Sequence, residues 1–126
     1  QARAEITLTK KRWPKAEVTW EPSLEAGLWL PDENDRHVLA AAVASSADFI
    51  VTLNVSDFPH ATLRNEGLYR IDPDNLLIRA HQEYSKEIRE LGLKVTADAS
   101  LFFKKTLYMP SLLKKARLPR LARALR

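Results

Sequence analysis

Two stretches decide the fold: Pro31-Asp32-Glu33-Asn34-Asp35-Arg36-His37-Val38-Leu39-Ala40-Ala41-Ala42, and Val51-Thr52-Leu53-Asn54-Val55-Ser56-Asp57-Phe58-Pro59 shortly after it. The first stretch places acids ahead of an apolar run, which is typical of a helix start because carboxylates cap and complement a helix N-terminus. We predict a helix over residues 35–46 and a strand over residues 49–53, where the continuous apolar run suggests a parallel strand covered on both faces.

Weaker patterns surround these two stretches. They predict either a helix or a strand at 2–12, an edge strand at 16–20, helices at 22–28 and 61–65, a strand at 68–71, a helix from 72 to about 91, a helix at 97–108, and short helices at 111–115 and 119–125. Alternating strands and helices indicate a doubly wound α/β domain, in which sites form beyond the carboxyl ends of parallel strands. Asn54 and Asp57 follow the 49–53 strand directly, so we expect them at such a site.

The composition limits the class of protein. The chain has 126 residues, which suits one domain, and it has no cysteine, which excludes disulfides and thiolate metal sites and favours a reducing cytoplasm. It has no apolar run of membrane-spanning length, so we expect no membrane association. A Gly-rich phosphate loop and a Gly-x-Ser-x-Gly elbow are both missing from the sequence, and the histidines lack metal-ligand spacing.

The net charge of +4 hides a strong asymmetry. Residues 104–126, which we name the basic tail, contain eight basic residues and no acid, so the rest of the chain is net acidic. Such a tail fits RNA or an acidic protein partner, although it could equally be a solvated cationic helix face. The candidate contacts are Lys104, Lys105, Lys114, Lys115, Arg117 and Arg120.

The acids of the two deciding stretches suit phosphodiester hydrolysis. Mg²⁺ or Mn²⁺ takes hard oxygen ligands, and a pair of these ions activates water and stabilises the leaving oxygen. Asp35 at a helix start and Asp57 after a strand fit as ligands, with Asp32 and Asn54 as supporting oxygens. Simpler interpretations stay open: Asp32 and Asp35 could only cap a helix, Asp57 could only be a turn residue, and His37 could be a core or supporting histidine.

The paired motifs Pro31-Asp32-x-x-Asp35-Arg36-His37 and Thr52-x-Asn54-x-x-Asp57-Phe58-Pro59 strongly resemble the later half of a PIN domain, especially that of VapC-type ribonuclease toxins. The likeness runs from about Trp13 to Leu77. It implies Mg²⁺- or Mn²⁺-dependent RNA cleavage, control by an antitoxin, and dimerisation. It also implies that Asp35 and Asp57 match the family's third and fourth metal-binding acids, with Asn54, Thr52 and Asp32 beside them.

The chain also departs from the family pattern. PIN domains begin with a strand ending in an aspartate, followed by a glutamate on an early helix, and nothing before Trp13 supplies either. We therefore expect an N-terminally incomplete, PIN-like three-layer α/β domain, with a short parallel sheet between helices, over residues 1–78. A basic helical extension would follow over residues 79–126.

The expected function is that of a ribonuclease toxin in its complete form, with this chain carrying half of the acidic site. Two alternatives remain open. One is a non-catalytic PIN-like module that binds protein or RNA, and the other is one piece of a two-chain or swapped nuclease. The expected partners are an RNA substrate, a cognate antitoxin, and either a second copy or the missing N-terminal fragment, whose absence would leave sheet edges exposed for pairing.

Overall fold

The computed structural model describes residues 2–126, and its elements are helices and the two short strands of one sheet, joined by loops. In chain order they are α1 (Ala2–Arg12), α2 (Pro22–Ala26), α3 (Arg36–Ala44), β1 (Phe49–Val51), α4 (His60–Asn65), β2 (Tyr69–Ile71), α5 (Pro73–Glu83), α6 (Ser85–Phe103), α7 (Met109–Lys115) and α8 (Pro119–Ala124). The mixed α/β content and the parallel sheet confirm the predicted fold class and are consistent with a PIN-like fold. None of the helices within residues 2–126 is long and apolar enough to cross a membrane.

The chain divides into two compact units. The first unit holds the residues up to 50 together with Asn54–Arg70, and the second holds Val51–Leu53 and Ile71–Arg126. The predicted domain boundary between residues 78 and 79 lies within α5.

The helix predicted from the acidic stretch is present as α3, which follows a 3₁₀ turn at Glu33–Asp35. The Asp32 carboxylate accepts the Asn34 N–H at 2.9 Å and so starts this turn. The buried side chains of α3 join the core of the first unit. That core comprises Leu28, Leu30, Leu39, Ala40, Ala42, Ile50, Phe58, Leu63 and Leu68. His37 is exposed on α3, so the interpretation of His37 as a core histidine is wrong.

The sheet contains β1 and β2 in parallel, as the α/β pattern predicts. The Tyr69 N–H donates to the Asp48 carbonyl at 3.1 Å, and the Thr52 N–H donates to the Ile71 carbonyl at 3.0 Å. The predicted short helix between the strands is α4, and Gly67 reverses the chain after it with a φ of 74°, a value that favours glycine. Val51 is 48% exposed, so the expectation that β1 is covered on both faces is wrong.

The predicted edge strand at residues 16–20 does not form. Ala16, the first residue of the predicted strand, belongs to a 3₁₀ turn at Pro14–Ala16. Glu17 has extended backbone angles of φ −79° and ψ 127° but is not part of the sheet. Alternating β-formers favour extended backbone, but a strand also needs a neighbouring strand to pair with. The ambiguous segment 2–12 forms helix α1, all of it exposed.

The long helix predicted from 72 to about 91 is interrupted at Tyr84, whose φ of −127° and ψ of 52° separate α5 from α6. The prediction of a separate helix at 97–108 is also wrong, because α6 runs on through this region and ends at Phe103. Lys104 then adopts the left-handed conformation with a φ of 53°. The two short helices predicted near the C-terminus are present as α7 and α8, each with a proline in its first turn.

The second unit has its own core. It is built from Met109, Leu113, Leu121, Ala122 and Leu125, with Leu77, Ile78, Ile88 and Leu118 packed against it. Gly92 on α6 permits close approach here, since a Cβ at that position would lie 3.0 Å from the Met109 sulfur and 3.1 Å from Leu125 Cδ1.

Candidate metal centre

Asp32 and Asp35 lie in one turn at the start of α3. The Asp35 N–H donates to the Asp32 carbonyl at 3.1 Å, which closes the 3₁₀ turn between them. The Asp32 side chain is used for capping, since it accepts the Asn34 N–H. The Asp35 side chain makes no capping hydrogen bond to α3 and is half-buried. The capping interpretation therefore describes Asp32, whereas it does not account for the Asp35 carboxylate.

Asn54 and Asp57 are brought together in the loop that follows β1. The Asn54 side-chain amide donates to Asp57 Oδ2. Asn54 Oδ1 in turn accepts the Asp57 N–H and the Ser56 hydroxyl, both at 3.2 Å. Asp57 is thus a turn residue, as the simpler interpretation holds, and its carboxylate is also oriented by a neighbouring side chain. The two interpretations are compatible.

Arg70 on β2 donates hydrogen bonds to two backbone carbonyls of the same loop. Its Nη1 atom donates to the carbonyl of Phe58 at 2.8 Å and to the carbonyl of Val55 at 3.2 Å. Sequence reasoning missed this role, because Arg70 stands alone in a short apolar strand and has no motif spacing to the loop. The contact joins residues 12 and 15 positions apart, which local patterns do not report.

Thr52 is half-buried and lies directly after β1. Its backbone N–H donates to the Ile71 carbonyl, so the main chain of Thr52 extends the pairing of the parallel strands by one residue.

The donor chemistry fits a divalent metal in kind but not in number. Mg²⁺ takes hard oxygen ligands, usually one or two carboxylates with water and phosphate oxygens completing an octahedron. Within residues 2–126, however, no group of three or more His, Asp or Glu side chains is close enough to hold a metal ion. Residues 2–126 do not by themselves form a two-metal centre.

The basic tail presents most of its cations to solvent. Lys104, Lys105, Lys114, Lys115 and Arg117 are exposed. Arg120 is also exposed but is engaged, because its Nη1 donates to Asn75 Oδ1 at 2.6 Å. Arg120 thereby stabilises the second unit in addition to contributing charge to the basic tail.

Comparisons with known proteins find similarity over part of the chain. A family model described as "PIN domain" matches residues 1–56, a range that includes Asp35 and Asn54 and ends one residue before Asp57. VapC50 of Mycobacterium tuberculosis (strain ATCC 25618 / H37Rv), which is named as a ribonuclease, is 46% identical over 44 residues. Those residues are 35% of this chain and 26% of that protein, so the match spans about a quarter of the relative's length. No solved structure matches the chain. The chain is therefore similar to PIN domains over residues 1–56 and to a VapC protein over 44 residues.

Proposed function

We propose that this chain carries the later acidic half of a Mg²⁺- or Mn²⁺-dependent endoribonuclease site, of the kind used by toxins of type II toxin–antitoxin systems. The observation that carries the proposal is the loop after β1, in which Asn54 orients the carboxylate of Asp57. The PIN family match over the preceding residues supports it. Asp35 and Asp57 would hold the metal, and Asp32, Asn54 and Thr52 would line the site.

The chain's own residues would prepare the ligands. Asn54 binds Oδ2 of Asp57, so the other carboxylate oxygen can face a metal or a water. The 3₁₀ turn presents Asp35 without using its side chain as a cap. Asp35 and Asp57, completed by ligands from elsewhere, would hold a metal ion that would supply Lewis-acid chemistry for phosphodiester hydrolysis.

The proposal includes ligands from elsewhere. Two carboxylates bind Mg²⁺ weakly, because affinity depends on the number and charge of the ligands. Further acids would therefore come from polypeptide outside residues 2–126, either of the same protein or of a second copy. Residues 2–126 bring no three His, Asp or Glu side chains close enough to hold a metal ion, which supports this part of the proposal.

RNA and an antitoxin are the proposed partners in a cytoplasmic setting. The exposed lysines of the basic tail would contact RNA phosphates or an acidic partner, since cation–phosphate contacts supply sequence-independent affinity. We propose a PIN-like domain over residues 1–78 and a basic extension over residues 79–126 that carries these contacts.

A non-catalytic PIN-like binding module is the second candidate. It is favoured by the small number of acids that the described residues bring together. Under this proposal the Asn54–Asp57 loop is a surface turn, and the basic tail alone accounts for binding to RNA or protein.

An RNA-cleavage assay tests the proposal. The purified chain, with any fragment that copurifies and is identified by mass spectrometry, is incubated with RNA and Mn²⁺ or with EDTA. We expect cleavage with Mn²⁺ and none with EDTA. Asp57→Asn should abolish the cleavage because it removes the charge that would hold the metal.

The matched control is Asp48→Asn, since Asp48 is an exposed aspartate at the opposite, amino end of β1. Cleavage by Asp48→Asn should equal that of the wild type. An equal loss of RNA cleavage in Asp57→Asn and Asp48→Asn would show a general effect of the lost negative charge. Binding of RNA without cleavage, in the presence of every copurifying fragment, would favour the binding module.

A further inference from the structure

We infer that Arg70 is a positioning residue that holds the loop of residues 54–58 in the conformation that orients the Asp57 carboxylate. The inference deepens the proposed function, on which it rests for the role of Asp57. The contacts that carry it are independent of any metal. They join the guanidinium group to main-chain atoms on both sides of Asp57.

Arg70 contacts the main chain both before and after Asp57. Val55 precedes it by two residues, Phe58 follows it directly, and the carbonyls of both accept hydrogen bonds from the single Nη1 atom of Arg70. Nη1 carries two hydrogens in the plane of the guanidinium group, so it can donate one to each carbonyl. The peptide segments flanking Asp57 are thereby tied to the same rigid group on β2.

The hydrogen bonds of Asn54 with Asp57 and Ser56 lie within the loop. Asn54 contacts Asp57 and Ser56, which lie at most three residues away, so these bonds shape the turn without fixing it to the sheet. Phe58 fixes one end of the loop, because it is buried in the core of the first unit and is only 6% exposed. Val55 is 58% exposed, and its main chain is held by Arg70. Without Arg70, we expect the Val55 side of the turn to move.

Lysine should replace Arg70 only in part. An ammonium group is a compact donor on a flexible stem, whereas the planar guanidinium is pre-organised and loses less entropy for each hydrogen bond it makes. An ammonium could reach one carbonyl or alternate between the two. Arg70→Lys should therefore lie between the wild type and Arg70→Met, which keeps an unbranched side chain but has no donor.

The inference is tested first without metal, on the full chain, by NMR. We expect Arg70→Met to speed amide hydrogen exchange at residues 55–58 by about tenfold, the scale of losing one charged hydrogen bond. The Asn54 side-chain amide signals should also shift, because that amide reports its contact with Asp57. The control is Arg64→Met, which removes an exposed arginine at the end of α4 and should change neither reading.

Mn²⁺ titration followed by water relaxation then tests the link to the site. If the wild type binds Mn²⁺, Arg70→Met should weaken binding by about tenfold, in the range seen for groups that orient metal ligands. Failure of the wild type to bind Mn²⁺, with every copurifying fragment present, would count against the proposed function. In that case the loop readings alone decide the role of Arg70.

Two results would overturn the inference. One is unchanged exchange and unchanged Asn54 signals in Arg70→Met, or in Arg70→Lys if Arg70→Met does not fold. The other is a loosened loop with unchanged Mn²⁺ affinity, which would leave Arg70 a purely structural role.

Discussion

The Asp74 carboxylate on α5 accepts the backbone N–H of Arg120 at 2.9 Å, although the two residues are 46 positions apart. It also accepts the Leu121 N–H at 3.0 Å, so one buried carboxylate satisfies two donors at the start of α8. Asp74 is only 6% exposed. The first N–H groups of a helix have no acceptors within the helix. Asp74 therefore supplies hydrogen-bond acceptors for the first N–H groups of α8.

Substitution of Asp74 should destabilise the protein. Asp74→Asn replaces one acceptor oxygen by an NH₂ group that would face a buried N–H, and a buried unsatisfied donor costs about 1–3 kcal/mol. We expect the free energy of unfolding, measured with urea, to fall by that amount. Asp98→Asn on the exposed surface of α6 is the control and should change it by less than about 0.5 kcal/mol. Equal stability of the two variants would contradict the capping role of Asp74.

Gly92 should accept alanine better than valine. Alanine gains up to about 1 kcal/mol of helix propensity, offset by the crowding of its Cβ against the flexible ends of Met109 and Leu125. Valine adds two further carbons at the same point, and overpacking of this kind costs about 1–3 kcal/mol. Thermal unfolding should therefore show Gly92→Ala near the wild type and Gly92→Val well below it.

Ala97→Val is the control for Gly92→Val, because Ala97 is exposed on the same helix and the change costs only helix propensity. A melting temperature for Gly92→Val equal to that of Ala97→Val would show that α6 can move away from its neighbours.

Lowering the pH should remove a contribution of the Asp72 carboxylate to the free energy of unfolding. The Asn75 backbone N–H, donating at 2.8 Å, holds the pKa of the Asp72 carboxyl below its usual value of 3.8. A group with a lowered pKa in the folded state stabilises the protein above the unfolded pKa, and this stabilisation is lost as the pH falls through the folded pKa. Stability should therefore decline from about pH 4 downward in part because of Asp72.

Asp72→Asn isolates this effect, because asparagine caps helices about as well as aspartate but does not titrate. Urea unfolding between pH 6 and pH 3 should show a smaller decline for Asp72→Asn than for the wild type. Parallel curves would show that the pKa of Asp72 is the same in the folded and unfolded chain.

The sequence predicted those elements whose signals are local. Asp32 and the apolar run behind it place the start of α3, Gly67 places the turn before β2, and Pro110 and Pro119 place the starts of α7 and α8. Each signal acts through the backbone within a few residues, by capping, by a positive φ or by a fixed φ.

The sequence failed where the structure depends on distant partners. The extended segment at 16–20 needed a neighbouring strand, and none pairs with it in residues 2–126. The break at Tyr84 has no proline or glycine to mark it. The contacts of Arg70 and Asp74 join residues 12 to 47 positions apart, so no local pattern could indicate either. For the candidate site, the motifs predicted Asp35 and Asp57 but not Arg70, which donates to two carbonyls of the loop that contains Asp57.

Asp32 and Asp35 at the start of α3 should respond differently to substitution by asparagine. Asp32 acts as a cap, and asparagine can accept the Asn34 N–H equally well. Asp32→Asn should therefore leave the free energy of unfolding unchanged. Its Mn²⁺ affinity should stay within about twofold of the wild type. The Asp35 side chain makes no cap, so Asp35→Asn should also fold normally, but it should lose the charge proposed to hold the metal. We expect a loss of roughly 100-fold or more in RNA cleavage, above the usual cost of removing a group that only orients a ligand. Cleavage assays and Mn²⁺ titration on both variants, in the preparation that cleaves RNA, make the comparison. Cleavage by Asp35→Asn at the wild-type level would remove Asp35 from the proposed site, whereas a large loss in Asp35→Asn alone would assign it a role that helix capping does not explain.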